Sequence, residues 1–313
     1  MKCRIVHSTL IFLLAFVANG QEFNKKGTSG FTFLNIPATA RTAALGETSI
    51  SLLESGAGGA FLNPATLGFA RAEHHATFSY APWFVEMKHY AASYAVQTEA
   101  GVFALSAVAM DYGSFVRTEK IPGQREFVSK GTFSAKASAL GVTYANRLTD
   151  RFAFGLTLKY VSERIDVFEV SNVVLDGGVL YDTGFESLRI AASLQNFGTN
   201  AQYRNDPFKM PSSVRLGASM ELLGNRNSDL MITGLVEALH PNDGEEHLNT
   251  GVEVWFLQQF ALRGGYKFFY DEDSFSAGLG IHPSIGMPLG FDIAVTDHGR
   301  LGTVVRFTLE IGM

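Results

Sequence analysis

The chain has 313 residues, 46% hydrophobic but only 18% charged, with 32 glycines, 26 phenylalanines and a formal charge of −5. An ordinary soluble domain carries about 25% charged residues, so this composition needs a structural cause. The apolar fraction excludes wholesale disorder, the sparse Pro and Cys exclude collagen-like and disulfide-stapled chains, and the net negative charge excludes a basic nucleic-acid footprint.

Residues 1–20 read as a cleavable export signal. Lys2 and Arg4 give a positive start, Ile5 to Ala18 is mostly apolar, and Ala18-Asn19-Gly20 offers small residues before Gln21. The apolar run is too short for a comfortable membrane helix, which needs about 20 residues. Cleavage removes Cys3, the only cysteine, and with it any Cys nucleophile or Cys-ligated zinc.

Residues 21–72 form a second unit. Phe33-Leu34-Asn35-Ile36-Pro37 leads into Ala38 to Gly46, where Ala40 to Leu45 could form a short helical turn, and Asn63-Pro64 is a turn dipeptide. The Gly-rich piece 55–60 is not a phosphate loop, because no Gly-Lys-Ser/Thr follows it. The stretch is too apolar for a free tail and too irregular to face lipid, which fits a plug folded inside a barrel.

From residue 73 to 313 the period is two. Phe152, Phe154, Leu156, Leu158 and Tyr160 interleave with Ala153, Gly155, Thr157 and Lys159, and Val305, Phe307, Leu309 and Ile311 interleave with Val304, Arg306, Thr308 and Glu310. Such alternation places one set on each face of a strand. About fourteen segments follow this rule, near 74–80, 86–97, 101–111, 132–145, 151–163, 173–182, 186–196, 212–223, 229–239, 247–257, 260–270, 274–283, 289–298 and 302–311. Each has roughly the 9–11 residues that a tilted membrane strand needs.

A soluble sandwich and an outer-membrane barrel alternate alike, with the faces inverted. Three features favour the barrel. The polar face is small, as in Ser276, Gly278 and Gly280; short connections alternate with longer ones, the longest at 112–131 and 197–211; and aromatics (Trp83, Phe84, Trp255, Phe256, Phe260, Phe268, Phe269, Tyr270) gather near strand ends as interfacial girdles do. The expected fold is all-β, a transmembrane antiparallel barrel of about 14 strands with an N-terminal plug.

On this register Lys136, Lys159, Arg189, Arg215, Arg263, Lys267 and Arg306 point into the lumen, with Glu221, Glu237, Glu253, Asp292 and Glu310. A selective pore usually carries a bias of one sign, so mixed charge points to ion-paired packing in a narrow interior. Histidines at 74, 75, 240 and 247 lack the spacing of a metal site, and His298 beside Asp297 has no nucleophile elbow to serve. No cofactor, metal or catalytic residue is expected.

The run Phe33-Leu34-Asn35-Ile36-Pro37-Ala38-Thr39-Ala40-Arg41-Thr42-Ala43-Ala44-Leu45-Gly46, followed by Asn63-Pro64-Ala65, resembles the N-terminal signature of the PorV/PorQ family, with the closer likeness to its PorQ-like members. The Asn-Pro-Ala element also recurs in the wider FadL-like group. The resemblance implies a fourteen-stranded outer-membrane barrel with an N-terminal hatch. It also implies association with the type IX secretion machinery or with cargo bearing a C-terminal sorting domain. The chain departs from the usual barrel ending, since it closes on Glu310-Ile311-Gly312-Met313 and not on an aromatic residue; Phe307 is the nearest substitute.

Two functions follow. One is a secretion component that meets its partner through segment 112–131, where Tyr112, Phe115, Arg117, Lys120 and Arg125 mix aromatics with charge. The other is a FadL-like channel for fatty acids or other hydrophobic small molecules, with an apolar pocket near Phe31, Phe33 and Leu34. Both would sit in outer-membrane lipid; neither involves nucleic acid.

Overall fold

The computed structural model describes residues 27–53, 56–70, 72–123, 127–204, 206–285 and 287–313. The export segment 1–20 and Arg125 lie outside them. Fourteen antiparallel strands make the wall: β1 His74–Pro82, β2 Lys88–Thr98, β3 Gly101–Lys120, β4 Phe127–Thr149, β5 Phe152–Ile165, β6 Phe168–Asp182, β7 Arg189–Gly198, β8 Ser213–Leu223, β9 Leu230–Pro241, β10 His247–Phe256, β11 Phe260–Phe268, β12 Phe275–Ile281, β13 Met287–Asp297 and β14 Thr303–Gly312. Each pairs with its sequence neighbour, and β14 pairs back onto β1, with His75 opposite Gly312 and Tyr80 opposite Phe307. Closure leaves no free edge, which is what lets strands cross a membrane with every backbone group bonded.

The alternation resolves into two environments. Leu105, Leu140, Val142, Leu158, Leu216 and Leu262 are exposed on the outer face, while Ala104, Thr143, Thr157, Ser193, Arg215 and Arg263 are buried on the inner one. Water would penalise so continuous an apolar belt, whereas lipid solvates it. The end carrying both barrel termini has the turns at 99–100 and 150–151 and is the periplasmic end by the rule for such barrels.

Segment 112–131 is not the loop its length implied. β3 and β4, of 20 and 23 residues, continue their ladder past the membrane to Lys120 opposite Phe127. Two extended arms satisfy each other's backbone groups and need no lipid, so bilayer thickness did not end the strand. The 164–172 gap closes in the same way, with Ile165 opposite Phe168. The 197–211 segment folds inward: Ala201–Gln202 pairs with Pro207–Phe208, and Lys209 bridges Ser29.

A lumen of fourteen strands is too wide for wall side chains to fill. Residues 27–53 and 56–70 fill it, in short pieces: α1 Ala40–Ala44, α2 Gly59–Leu62, and short 3-10 segments at Thr32–Asn35 and Pro64–Phe69. Thr39 caps α1 by accepting from the Thr42 amide, and Gly46 ends it at φ 63. A Cβ there would meet the Thr250 carbonyl at 3.1 Å, so only glycine lets the plug lie on the wall.

Candidate functional site: the plugged lumen

The plug is nearly uncharged. Within 27–53, Arg41 is the sole basic residue and Glu47 the sole acidic one, and each meets the wall. Arg41 donates to Glu253 on β10 through Nε and Nη2, at 2.9 and 2.7 Å. Arg263 on β11 donates to the same carboxylate at 2.7 Å and to Asp292 on β13 at 2.5 Å. His282 completes the chain at 3.1 Å from Asp292. Glu47 takes Lys267 at 2.5 Å and Arg215 at 3.4 Å, and Arg215 also donates to Glu237 at 2.8 Å. Burial alone would raise the Glu47 carboxyl, but Lys267 and Arg215 outweigh it and hold the group below its usual range.

A third contact is uncharged. Asn63 accepts from the Ala65 amide at 3.0 Å and donates to the carbonyls of Ile50 and Val179 at 2.7 and 3.3 Å. Pro64 and Ala65 then lie against Gly155 and Gly178, paired neighbours on β5 and β6.

Above these contacts sits an apolar cluster. Phe31 and Phe33 pack against Met110, Val161, Val174 and Met210, with Leu34, Tyr203 and Phe208 beside them. Phe31 and Phe208 stand 5.7 Å apart, Tyr203 and Phe208 5.6 Å. Burying each phenylalanine contributes about 1.5–3 kcal/mol. This is the segment of the lumen least like a charged pore.

Four cavities run in series through the plug. An outer one of about 310 Å³ is lined by Asn35, Glu47 and Arg215. The same three residues line the next, of about 50 Å³, together with Phe33, Leu34 and Ile36. It shares Thr39, Thr42, Gly58 and Leu62 with a void of about 10 Å³, which in turn shares Arg41 and Glu310 with a periplasmic vestibule of about 720 Å³. The smallest of the four voids is the one bounded by Thr39, Thr42 and Gly58.

The expected residues distribute as follows. Phe33, Asn63, Pro64 and Ala65 are buried, Leu34 and Pro37 half-buried, Asn35 exposed at the outer cavity, and Arg41 and Gly46 on the wall. Lys159 faces in and pairs with Asp176 at 2.7 Å, and Arg215, Glu253, Arg263, Asp292 and Arg306 all face in and are buried. Lys136 does not: it is exposed between the buried Ala135 and Ala137, because it shares a face with the lipid-facing Leu140 and Val142. Trp83 and Trp255 are not girdle residues either. They lie over Arg306 and Arg263, at 5.9 and 5.5 Å, closing opposite ends of the lumen.

Of the hairpin residues, Tyr112 turns inward and packs beside the apolar cluster, because it continues the inward row of Val102, Ala104, Val108 and Met110. Phe115 is exposed and stacks on Phe133, Arg117 pairs with Asp166 at 2.5 Å, and Lys120 is exposed at the tip. His298 bonds Asp273 at 2.5 Å instead of the adjacent Asp297. Burial by itself would raise Asp273, but the His298 bond and Lys267 hold it down to about 2. Glu47, Gly58, His89, Gly155 and Gly178 were not picked out from sequence. Only Glu47 carried a signal there, as the lone acid of an apolar segment.

Neither a family model nor a curated protein sequence matches the chain. Solved structures do. The toluene transporter TbuX of Ralstonia pickettii is similar over 88% of this chain and 98% of its own, with a TM-score of 0.62 and 12% identity. The monoaromatic hydrocarbon channel CymD matches over 88% of this chain and 96% of its own, at a TM-score of 0.58 and 12% identity. The toluene transporter TodX of Pseudomonas putida matches over 88% and 97%, at 0.56 and 13%. At such identities the likeness is one of fold: a closed fourteen-stranded FadL-like barrel. The PorV/PorQ resemblance has no family match beside it.

Proposed function

We propose that this protein is an outer-membrane channel for small hydrophobic molecules, gated by its N-terminal plug. The observation that carries this reading is the series of cavities that passes the Phe33 cluster and is smallest at Thr39 and Gly58. Three barrels of the same fold are described as toluene or monoaromatic hydrocarbon transporters or channels, which makes toluene the first solute to try. The apolar cluster gives such a solute a place to leave water, and the ion pairs on either side seat the plug that must shift for passage.

Gly58 tests the path. Its backbone is ordinary for any residue (φ −61), and a Cβ would stand 3.1 Å from the Thr39 methyl. Gly58→Val fills the smallest void, so toluene uptake into cells carrying the variant falls by at least about tenfold, the effect of roughly 1.4 kcal/mol. Uptake equal to wild type at equal barrel levels removes the path from this reading.

A second reading rests on the projecting β3–β4 hairpin, whose Phe115, Val116, Phe127 and Val128 are exposed. With the PorV/PorQ-like plug motif, it supports a role in type IX secretion through this surface. Deleting 115–127 then leaves the barrel in the membrane but abolishes co-purification of secretion components or sorting-domain cargo. Co-purification unchanged by the deletion takes the hairpin out of that role.

A further inference from the structure

Arg306 on β14 is anomalous among the buried arginines of the lumen. Arg189, Arg215 and Arg263 each meet a carboxylate at 2.5–2.8 Å. Arg306 is only 2% exposed, yet among the described residues it meets none. Its Nη1 bonds His89 Nδ1 at 2.9 Å, and its Nε and Nη2 are buried without any partner. Nε and Nη2 form one edge of the guanidinium, the edge that grips an anion with two parallel hydrogen bonds.

His89 sharpens the point. A guanidinium only donates, so His89 Nδ1 accepts, and the imidazole proton sits on Nε2. That nitrogen is also buried and unpartnered, in a ring with no exposed surface. Three buried donors therefore have no acceptor, next to a full positive charge. Leaving donors so placed unsatisfied is costly, the more so for a charged group. The Arg306 guanidinium carbon stands over the Trp83 ring, 5.9 Å from its centroid, a contact that uses none of its N–H donors.

Two buried or half-buried acids of the outer end are engaged elsewhere. Asp273 is held by Lys267 and His298, and Glu47 by Lys267 and Arg215. Neither Arg306 nor His89 lines the four lumen cavities described above, so the pair stands apart from the path through the plug. Water would satisfy the donors and leave the charge unbalanced; an anion does both.

We propose that Arg306 and His89 hold a small monovalent anion, of halide or formate size, at the outer end of the lumen beneath the Trp83 turn. The test uses the whole barrel in detergent, with bromide as the probe. Crystals grown in sodium bromide are expected to show an anomalous peak in contact with Nε and Nη2 of Arg306. The melting temperature is expected to rise as bromide replaces gluconate at constant ionic strength, and that rise is lost in Arg306→Gln. Ordered water alone on the fork, or Arg306 turned onto a carboxylate, overturns the proposal. So does a bromide-dependent rise of equal size in Arg306→Gln. The crystal measurement needs only the wild-type chain, so a variant that fails to fold leaves the test intact.

Discussion

Glu253→Gln is expected to unseat the plug and open the channel. Glu253 is 1% exposed and is the carboxylate through which Arg41 of the plug and Arg263 of the wall are joined. Glutamine keeps the shape and removes the charge, so the two arginines lose the carboxylate they share, with Asp292 left beside Arg263 and Glu310 lining the same void as Arg41. Removing one partner of a buried pair costs about 3–5 kcal/mol, far above the 0–1 kcal/mol typical of an exposed one. In planar bilayers the variant should pass current in frequent open events where the wild type stays closed, and its melting temperature should fall. Adding Arg41→Met should cost less than the two single changes summed, because both act on one contact. Wild-type conductance and stability in Glu253→Gln would show that this pair does not seat the plug.

Gly178→Val is expected to expel the 59–69 segment from its place on the wall. A Cβ at Gly178 would stand 1.9 Å from Asn63 Oδ1, and one at Gly155 would stand 2.5 Å from the Pro64 carbonyl carbon. Glycines at two paired wall positions make a notch, and Asn63-Pro64-Ala65 lies in it. Any side chain at 178 displaces Asn63 and forfeits its three hydrogen bonds, a loss of roughly 3 kcal/mol before the clash is counted. Proteinase K or chymotrypsin should then cut within 56–70, at Phe61, Leu62, Leu67 or Phe69, in detergent while the barrel stays heat-modifiable. Gly264→Ala serves as the control, since nothing lies within 4 Å of its added Cβ. A protected plug in Gly178→Val, with the barrel otherwise unchanged, would place the segment elsewhere.

The hydrophobic period could be read over the whole wall, because lipid on one side and plug on the other force every inward position to differ from its neighbours. Phe152 to Tyr160 and Val304 to Ile311 carry that contrast residue by residue, so strand number and face were legible. Strand ends were not. Beyond the membrane the constraint of lipid disappears while backbone pairing persists, and β3 and β4 run on through residues that composition reads as loop. Lys136 faces outward because the small apolar row Ala135, Ala137 and Ala139 takes the lumen side of β4, an assignment that apolar character alone reads the wrong way round.

The sequence by itself determined the barrel, the plug and the sign of most lumen positions, since these follow from which face each side chain takes along a strand of period two. Only the tertiary structure decided who meets whom. Arg41 finds Glu253 across 212 positions and Glu47 finds Lys267 across 220. Among the described residues Arg306 finds no carboxylate, and Gly155 with Gly178 matters only because Asn63 arrives there. Period two fixes the face of a residue but carries no information about partners brought together by closure of a fourteen-strand ring around an inserted chain, because those distances depend on register and curvature summed over every strand between.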